Sequence, residues 1–397
     1  MRVASPLTVL FAPDSFKGSL TSVEVAQSLA DGWTRARPSD PVLLAPLADG
    51  GEGTLVAIAA AGGWEWRTTK VHDPNFHQID ARWLITPDGQ AAVIELAAAS
   101  GLSLVPVAER ATTLHTTMGT GELLMAALDA GARRITIGIG GSATTDGAAG
   151  ILTVLGAVFR DSDGKPVVEL PTPPIPANLG GVATADLSGL DPRLADVDLR
   201  IACDVTNPLL GPSGAAAIYG PQKGATPDDV EFLDDNLRNY ADALELAGGR
   251  RERDTPGAGA AGGSGFGLLS IADRFRSLEL VPGIDVVMSA ADFDGKLERA
   301  GLVITGEGRI DAQTAFGKTA LGVARRAASA ARPCIAVGGG VTPEGIDALV
   351  PLGVVVVPVV EHPQSVEAAM SAGVEPVARC GERLASLLSL RLPSSAA

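Results

Sequence analysis

The stretch VLFAPDSFKGSLTSVEVAQSLADGW (residues 9–33) predicts a β-strand, a polar loop and an amphipathic helix in succession. An apolar run at 9–11 forms the strand, and the loop DSFKGS (14–19) follows it closely. Thr21 and Glu24 have the spacing of a capping box, in which each side chain binds a backbone N–H at the start of a helix. Apolar residues then recur on one helical face, at Val25, Ala26, Leu29 and Trp33. This strand–loop–helix unit is typical of α/β proteins.

Similar short aliphatic runs recur along the rest of the chain. They lie at 42–45, 91–94, 135–139, 199–203, 302–305, 334–337 and 354–360. Most of them do not alternate apolar and polar residues, which is typical of strands buried on both faces of a parallel sheet. Helical patterns lie between several runs, such as the one that opens at Thr226 and Pro227 and repeats apolar residues every three or four positions up to Leu244. The alternation predicts an α/β fold.

Length, charge and cysteine content exclude several classes of protein. The chain has 397 residues, enough for two α/β domains of ordinary size. Its formal net charge of −15 argues against a nucleic-acid partner, and the sequence has no basic stripe with interleaved aromatic residues. Cys203, Cys334 and Cys380 form no CxxC pair, so no disulfide framework or structural zinc site is expected. Because no apolar run reaches the roughly 18 residues of a membrane span and the N-terminal one is too short for a secretory signal, we expect a cytoplasmic protein with no membrane partner.

Carboxylates and glycines are concentrated directly after the predicted strands. Each of the first six strands is followed within a few residues by Asp or Glu, namely Asp14; Asp49 and Glu52; Glu95; Asp146; Asp204; and Glu307 and Asp311. Helix capping and turn formation explain any single loop, but they do not require so many carboxylates beside so many glycines. Ligands of open parallel sheets bind outside the carboxyl ends of the strands. Since glycine-rich helix starts bind phosphate and carboxylates hold Mg²⁺, the set predicts a magnesium–nucleotide site.

Three other patterns indicate different functions but lack the context that those functions need. The glycines of GAGAAG (257–262) have dinucleotide-binding spacing, but RERDTP (251–256) precedes them where that motif requires a strand. We expect this loop to cover a ligand or to pack tightly. AQTAFGKT (312–319) is a phosphate-binding loop pattern without its first glycine, and it begins too far past the strand. The four histidines are scattered and no GxSxG is present, so a histidine-based hydrolase is not expected.

Basic residues inside the polar loops are few in this acidic chain. They are Lys17, Lys223 and Arg309. Each either pairs with a neighbouring carboxylate or anchors a substrate carboxylate or a nucleotide phosphate. The residues themselves leave both interpretations open.

Seven blocks of sequence can be compared as one set. They are APDSFKGSLTS (12–22), PLADGGEGT (46–54), GIGGSATTDGAAG (138–150), ACDVTNPLLGPSGAAAIYGPQKGA (202–225), GAAGGSGFG (259–267), PGID (282–285) and TGEGRIDAQTAFGKT (305–319). In this order they resemble the bacterial glycerate kinase type-1 family. The resemblance extends from about residue 9 to the 360s, which is nearly the whole chain, and several blocks are long.

The resemblance implies a phosphotransferase with an alcohol acceptor that uses ATP and Mg²⁺ to phosphorylate D-glycerate, with 2-phosphoglycerate as the expected product. It also implies an α/β fold of two domains, a Rossmann-like parallel-sheet domain built from both chain ends and an inserted second α/β domain. We place the first domain at 1–74 plus 283–397 and the insert at 75–282, with the active site in the cleft between them. The turn residues at 73–75 and 281–283 support these limits. Monomer and homodimer both remain open.

Within the matching blocks we assign roles on physical grounds. Asp204 ends a buried strand and is the candidate for the base or hydroxyl-orienting group, and Lys17 and Arg309 complete the catalytic set. The nucleotide set is Gly140, Gly141 and Ser142. The substrate set is Asp14, Ser15, Lys17, Asn207 and Arg309. The metal set is Asp49, Glu307 and Asp311. Asp14 and Asp146 can instead act as helix caps.

Two alternatives to a glycerate kinase remain at this point. A non-catalytic module that senses a small hydroxy acid needs the anion anchors but not so many carboxylates around a nucleotide. A kinase of a related acid, such as tartronate or a sugar acid, needs the same loops. The sequence separates neither these alternatives nor 2-phosphoglycerate from 3-phosphoglycerate as the product.

Overall fold

A computed structural model of the protein describes residues 6–48, 53–167, 173–312, 314 and 319–390. The strands are β1 (Val9–Pro13), β2 (Val42–Leu44), β3 (Glu65–His72), β4 (Gln78–Ile85), β5 (Ala91–Glu95), β6 (Arg134–Gly138), β7 (Val158–Arg160), β8 (Thr184–Asp186), β9 (Asp198–Ala202), β10 (Ser277–Val281), β11 (Leu302–Ile310), β12 (Cys334–Val341) and β13 (Val355–Pro358). The α-helices are α1 (Ser22–Ala36), α2 (Thr54–Ala61), α3 (Ala97–Ser100), α4 (Met118–Asp129), α5 (Ala149–Val154), α6 (Ala215–Tyr219), α7 (Pro227–Gly248), α8 (Ala260–Ser270), α9 (Gly283–Ala290), α10 (Phe293–Arg299), α11 (Thr319–Ser329), α12 (Pro343–Leu349), α13 (Val366–Ser371) and α14 (Glu375–Leu388). No helix within these described ranges is long and apolar enough to cross a membrane.

The first of two compact units is built from both ends of the chain. It comprises Met1–Asp49, Val56–Gly62 and Val287–Ala397. Its sheet has the order β13-β12-β11-β1-β2, and every pairing is parallel. β1 pairs with β11 from Val9 opposite Leu302 to Pro13 opposite Gly306. The predictions of a parallel α/β sheet and of runs 9–11 and 302–305 in one sheet are confirmed.

Close helix packing covers one face of this sheet. The predicted capping box starts α1, since Thr21 accepts a hydrogen bond from the Glu24 N–H and Glu24 accepts one from the Thr21 N–H. Trp33 of α1 is fully buried and belongs to one core cluster with residues of β1, β11 and α14. A Cβ added to Gly32 would lie 1.7 Å from the carbonyl oxygen of Ala378. The helices α1 and α14 therefore approach too closely for any side chain at that position.

The second unit comprises Gly50–Leu55 and Gly63–Val286. Its main sheet has the order β10-β9-β6-β5-β4-β3, in which β10, β9, β6 and β5 are parallel and β4 and β3 are antiparallel. A separate antiparallel pair joins β7 to β8. The core contains the buried faces of α4, α5, α7 and α8. This is the second α/β domain that the fold prediction requires.

The start of the second unit differs from the predicted limit at residue 75. β3 pairs with β4 along its full length, from Glu65 opposite Ile85 to His72 opposite Gln78. The Asp73–Pro74–Asn75 turn therefore joins two strands of one hairpin, in which the Asp73 N–H donates to the His77 carbonyl at 2.8 Å. It is not a domain boundary, and residues 63–74 belong to the second unit.

Candidate active site

The candidate residues fall into two groups, one at the carboxyl edge of each main sheet. In the first unit, β1 ends opposite Gly306, and the Asp14 N–H donates to the Gly306 carbonyl at 2.8 Å. Asp14 therefore lies level with Glu307 on the adjacent strand. Neighbouring strands are about 4.8 Å apart, so this register brings two predicted carboxylates to the same part of the edge.

Hydrogen bonds fix the carboxylate of Asp14. Oδ1 accepts the N–H of Ser15 at 2.6 Å, and Oδ2 accepts the hydroxyl of Thr319 at 2.5 Å. Thr319 is the first residue of α11, so the carboxylate is held at the start of that helix. A negative charge near a helix N-terminus is favourable because the first turn carries unpaired N–H groups.

Glu307 and Asp311 are connected through one threonine. Glu307 is almost fully buried, and its Oε1 accepts the Thr314 hydroxyl at 2.6 Å. The Asp311 N–H in turn donates to Oγ1 of Thr314 at 3.1 Å. This chain of hydrogen bonds orients the Glu307 carboxylate and fixes the backbone at Asp311. Asp49, the third predicted metal ligand, lies outside the described residues.

The two predicted anion anchors of this unit are exposed. Lys17 lies in the loop after β1, and the Arg309 side chain is 71% exposed, with Nε 3.4 Å from an oxygen of Asp311. A Cβ added to Gly308 would lie 3.1 Å from the backbone nitrogen of Lys17. The glycine thus allows the backbone of the Lys17 loop to pack against the strand that carries Arg309, whose guanidinium lies beside Asp311.

The second group follows β6, β9 and β10. Gly138 is opposite Ala202, and Ala202 is opposite Val281. The turn at Gly140 and Gly141 and the carboxylate of Asp204 therefore emerge at the same edge of the sheet. Gly141 is exposed and has a φ of +73°, a conformation that glycine adopts without strain.

Asp204 and Asn207 have different surroundings. Asp204 is exposed, and its Oδ1 accepts the N–H of Gly283, the first residue of α9, at 2.9 Å. The Asn207 amide instead binds within its own loop, donating to the Ser213 carbonyl at 2.9 Å and accepting the Tyr219 hydroxyl at 2.6 Å. Asn207 therefore shapes the loop with both ends of its amide.

Ser142 points away from solvent toward a buried polar layer. It is 6% exposed, and its Oγ accepts a hydrogen bond of 2.8 Å from Nζ of Lys223. Asp146, also in this layer, accepts the N–H and the hydroxyl of Thr117 at 2.8 and 2.7 Å and the N–H of Gly150 at 3.2 Å. Burial raises the pKa of Asp146, and these hydrogen bonds oppose that rise. Asp146 thus joins the starts of α4 and α5, as the helix-cap interpretation states.

The glycine-rich stretch 257–267 is a packing element. Ala261, Gly262 and Gly263 all have positive φ, and a Cβ on Gly262 would lie 1.9 Å from the Thr144 carbonyl oxygen. The Gly147 N–H also donates to the Gly262 carbonyl at 3.0 Å. Of the two expectations for this loop, tight packing describes it, and its backbone fixes the end of the 138–147 loop.

Several polar residues of the site were not singled out from the sequence. Thr314 and Thr319 belong to the phosphate-loop pattern of the sequence, and in the structure their hydroxyls donate to Glu307 and Asp14. Thr117 lies in HTTMGTGE (115–122), where small polar residues and glycines precede an apolar helical run. That composition is a helix-start signal that would have marked it. Lys318, the lysine of the phosphate-loop pattern, lies outside the described residues.

The carboxylates of the first group suit a magnesium ion by their chemistry. No cluster of three or more His, Cys, Asp or Glu side chains able to hold a metal occurs in the described part of the chain. Mg²⁺ does not need such a cluster, because it is usually held by one or two carboxylates together with substrate phosphates and water. The carboxylates of Glu307 and Asp311 provide oxygen ligands for a metal ion, and hydrogen bonds through Thr314 link the two residues. This arrangement fits that mode of binding.

Comparison with known proteins identifies the family to which this chain belongs. A model of the glycerate kinase family matches residues 9–389. The chain belongs to the glycerate kinase family, and it is thus a phosphotransferase of the kind that uses an alcohol group as acceptor.

Individual relatives are similar in sequence to this chain over most of their length. The chain is 46% identical to a glycerate kinase of Bacillus subtilis (strain 168), over 86% of this chain and 89% of the relative. It is 43% identical to a glycerate 2-kinase of Escherichia coli (strain K12), over 86% and 90% of the two chains. A crystal structure of a Salmonella typhimurium LT2 protein described as a glycerate kinase 2 superposes with a TM-score of 0.85 at 40% identity, covering 97% of this chain and 99% of that one.

Proposed function

We propose that this chain transfers the γ-phosphoryl group of ATP to the 2-hydroxyl of D-glycerate, with Mg²⁺, and yields ADP and 2-phosphoglycerate. Membership of the glycerate kinase family carries the proposal, and a relative named for 2-kinase activity supports the position of transfer. In this reaction the bond between the γ-phosphorus and the bridging oxygen of ATP breaks, and a bond to the glycerate oxygen forms. The hydroxyl proton goes to a base.

Asp204 is the proposed base. It is exposed at the carboxyl edge of its sheet, and the hydrogen bond from the Gly283 N–H holds one oxygen of its carboxylate. A carboxylate fixed in this way accepts a proton without first reorganising, and positioned bases contribute about 10²–10⁴-fold to rate. The exposed cations of Lys17 and Arg309 are proposed to bind the glycerate carboxylate or the transferring phosphoryl group. Asp14 and Ser15 complete the proposed acceptor site.

The nucleotide and the metal have separate proposed contacts. The turn at the half-buried Gly140 and the exposed Gly141 offers backbone N–H groups to the phosphates, and Ser142 lies directly behind it. Glu307 and Asp311, with Asp49, are proposed to hold Mg²⁺, which neutralises phosphate charge when it is bound. Phosphoryl transfer depends mainly on positioning and charge neutralisation, and the residues proposed here supply both.

A coupled assay of ADP release tests the proposal. We expect ADP formation that needs D-glycerate and Mg²⁺ together. Turnover with tartronate or a sugar acid but not with D-glycerate would favour a kinase of a related acid. Binding of D-glycerate in calorimetry without any ADP release would instead favour a sensor module.

A further inference from the structure

Lys223 has an ammonium group inside the second unit. The residue is 2% exposed and ends a short 3₁₀ turn, Pro221–Lys223. Its Nζ donates to Oγ of Ser142 at 2.8 Å and to the carbonyl oxygen of Thr144 at 2.7 Å. Both acceptors belong to the loop that follows β6. The two acceptors are thus a hydroxyl and a carbonyl and not the neighbouring carboxylate that one expectation from the sequence named. The other expectation, an anchor for a substrate carboxylate or a nucleotide phosphate, stays a prediction.

The loop is also fixed at other points. The Ala143 N–H donates to the Ser100 carbonyl at 2.9 Å, and the Gly147 N–H donates to the Gly262 carbonyl. The Asp146 carboxylate binds Thr117. Residues 142–147 are therefore buried and held, whereas Gly141 just before them is exposed. The Gly141 carbonyl accepts the Leu102 N–H at 2.8 Å, and Lys223 provides a side-chain attachment at the adjacent Ser142.

The groups that face Lys223 are Asp146 and His115. The buried Asp146 carboxylate favours the ammonium form, whereas His115, which lies against the Ala143 carbonyl, disfavours it when protonated. Burial lowers the pKa of Lys223 to about 7, and the charge of Asp146 opposes that shift. Burying an ionisable amine at this position lowers the free energy of unfolding, because the group loses its hydration. An apolar side chain of similar length would avoid that loss.

We propose that Lys223 is a positioning residue for nucleotide phosphates. Its two hydrogen bonds fix Ser142 and Thr144. Together with the Leu102 N–H bound to the Gly141 carbonyl, they hold the preceding Gly140–Gly141 turn in the conformation that presents its N–H groups. Because Oγ of Ser142 accepts from Nζ, the hydroxyl proton of Ser142 remains to donate elsewhere. The inference rests on the proposed function in one respect, namely that phosphates bind at this turn.

The test compares Lys223→Met with Lys70→Met in steady-state kinetics and hydrogen exchange. Lys70 lies on β3 with a largely exposed side chain, so its variant removes a lysine charge from the same unit without touching the loop. We expect Lys223→Met to raise KM for ATP about tenfold, as loss of a hydrogen bond to a charged group does, with KM for D-glycerate changed less than twofold. Amides of residues 139–144 should exchange faster than in the wild type, and those of α7 should not. Lys70→Met should match the wild type in both measurements.

A double-mutant cycle shows whether Lys223 acts through Ser142. Combined with Ser142→Ala, Lys223→Met should raise KM for ATP by less than the product of the two single effects, because the variants remove one shared hydrogen bond. If Lys223→Met does not fold, Lys223→Gln, which keeps an N–H donor, should show a smaller increase in the same two readouts. Multiplicative effects, or unchanged exchange of the loop amides, would overturn the proposal.

Different results would contradict the proposed function and the proposed role of Lys223. If the wild type releases no ADP with D-glycerate, the proposed function fails, while hydrogen exchange still decides whether Lys223 holds the loop. If the wild type is active and Lys223→Met loosens the loop without raising KM for ATP, the phosphate-positioning role is wrong and the proposed function stands.

Discussion

Oδ1 of Asp204 accepts a hydrogen bond of 2.9 Å from the backbone N–H of Gly283. This contact links the end of β9 to the start of α9 and orients a carboxylate that is otherwise exposed. An exposed carboxylate contributes little to folding, so a strong effect of its removal on turnover would indicate a chemical role.

Asp204→Asn should lower kcat by about 10²–10⁴-fold, the usual contribution of a general base. The amide oxygen of asparagine can still accept the Gly283 N–H, so the melting temperature should remain close to that of the wild type. Asp163→Asn, an exposed loop residue of the same unit, is the control and should leave both values unchanged. A near-normal kcat with normal stability would show that another carboxylate is the base, and Asp311 would be examined next.

Thr314→Val and Thr319→Val form a matched pair, because each removes one hydroxyl that donates to a carboxylate. Thr314→Val removes the hydroxyl that donates to Glu307 and should raise the Mg²⁺ concentration needed for activity by about 10–100-fold, as loss of a partner behind a metal ligand does. Thr319→Val affects Asp14 and should instead raise KM for D-glycerate. Titrations of both variants with Mg²⁺ and with D-glycerate provide the check. The same response in both variants would contradict the separate roles of Glu307 and Asp14.

Lys17→Met and Arg309→Met should each raise KM for D-glycerate. Hydrogen bonds to charged groups contribute about 1.5–3 kcal/mol, which corresponds to roughly tenfold to one hundredfold in KM. Stability should change little, because Lys17 and the Arg309 side chain are both exposed, and the contact of Arg309 with the partly buried Asp311 is long, at 3.4 Å. Arg67→Met, another exposed arginine, serves as the control. Unchanged KM in both variants would remove these cations from the acceptor site.

The buried lysine predicts a pH dependence of stability. The pKa of Lys223 is about 7 in the folded protein and 10.5 as its ordinary value, so between these pH values the unfolded chain binds more protons. Stability should therefore rise from pH 7 toward 10 in the wild type relative to Lys223→Met. Asp146 and His115 also face this site and are present in both proteins. Thermal denaturation across this range checks the sign, and a constant or falling difference would contradict it.

Local sequence rules predicted the elements with strong patterns. The Thr21 and Glu24 capping box and the buried face of α1 were both recognisable, because helix starts and apolar periodicity depend on near neighbours. β3 and β4 were not predicted, since several of their residues are exposed and they lack the aliphatic runs of the other strands. Their pairing also places residues 63–74 in the second unit, because a turn signal does not distinguish a hairpin from a domain boundary.

The sequence predicted where the candidate residues lie relative to the strands, but not the contacts between them. Carboxylates after strands mark the carboxyl edge of a parallel sheet, so Asp14, Glu307 and Asp204 could be selected from the sequence. The contact of Thr319 with Asp14 joins residues far apart in the chain, and the burial of Lys223 depends on packing between elements. Neither follows from local spacing. Such contacts require the tertiary structure.

Phosphorus NMR of the product tests the central claim most directly. The wild-type protein is incubated with ATP, Mg²⁺ and D-glycerate, and matched samples omit one component each. We predict a phosphomonoester signal of 2-phosphoglycerate that grows with ADP in the complete mixture alone. ADP formation that is independent of D-glycerate, or no phosphoglycerate signal in the complete mixture, would contradict the proposal that this chain is a D-glycerate kinase.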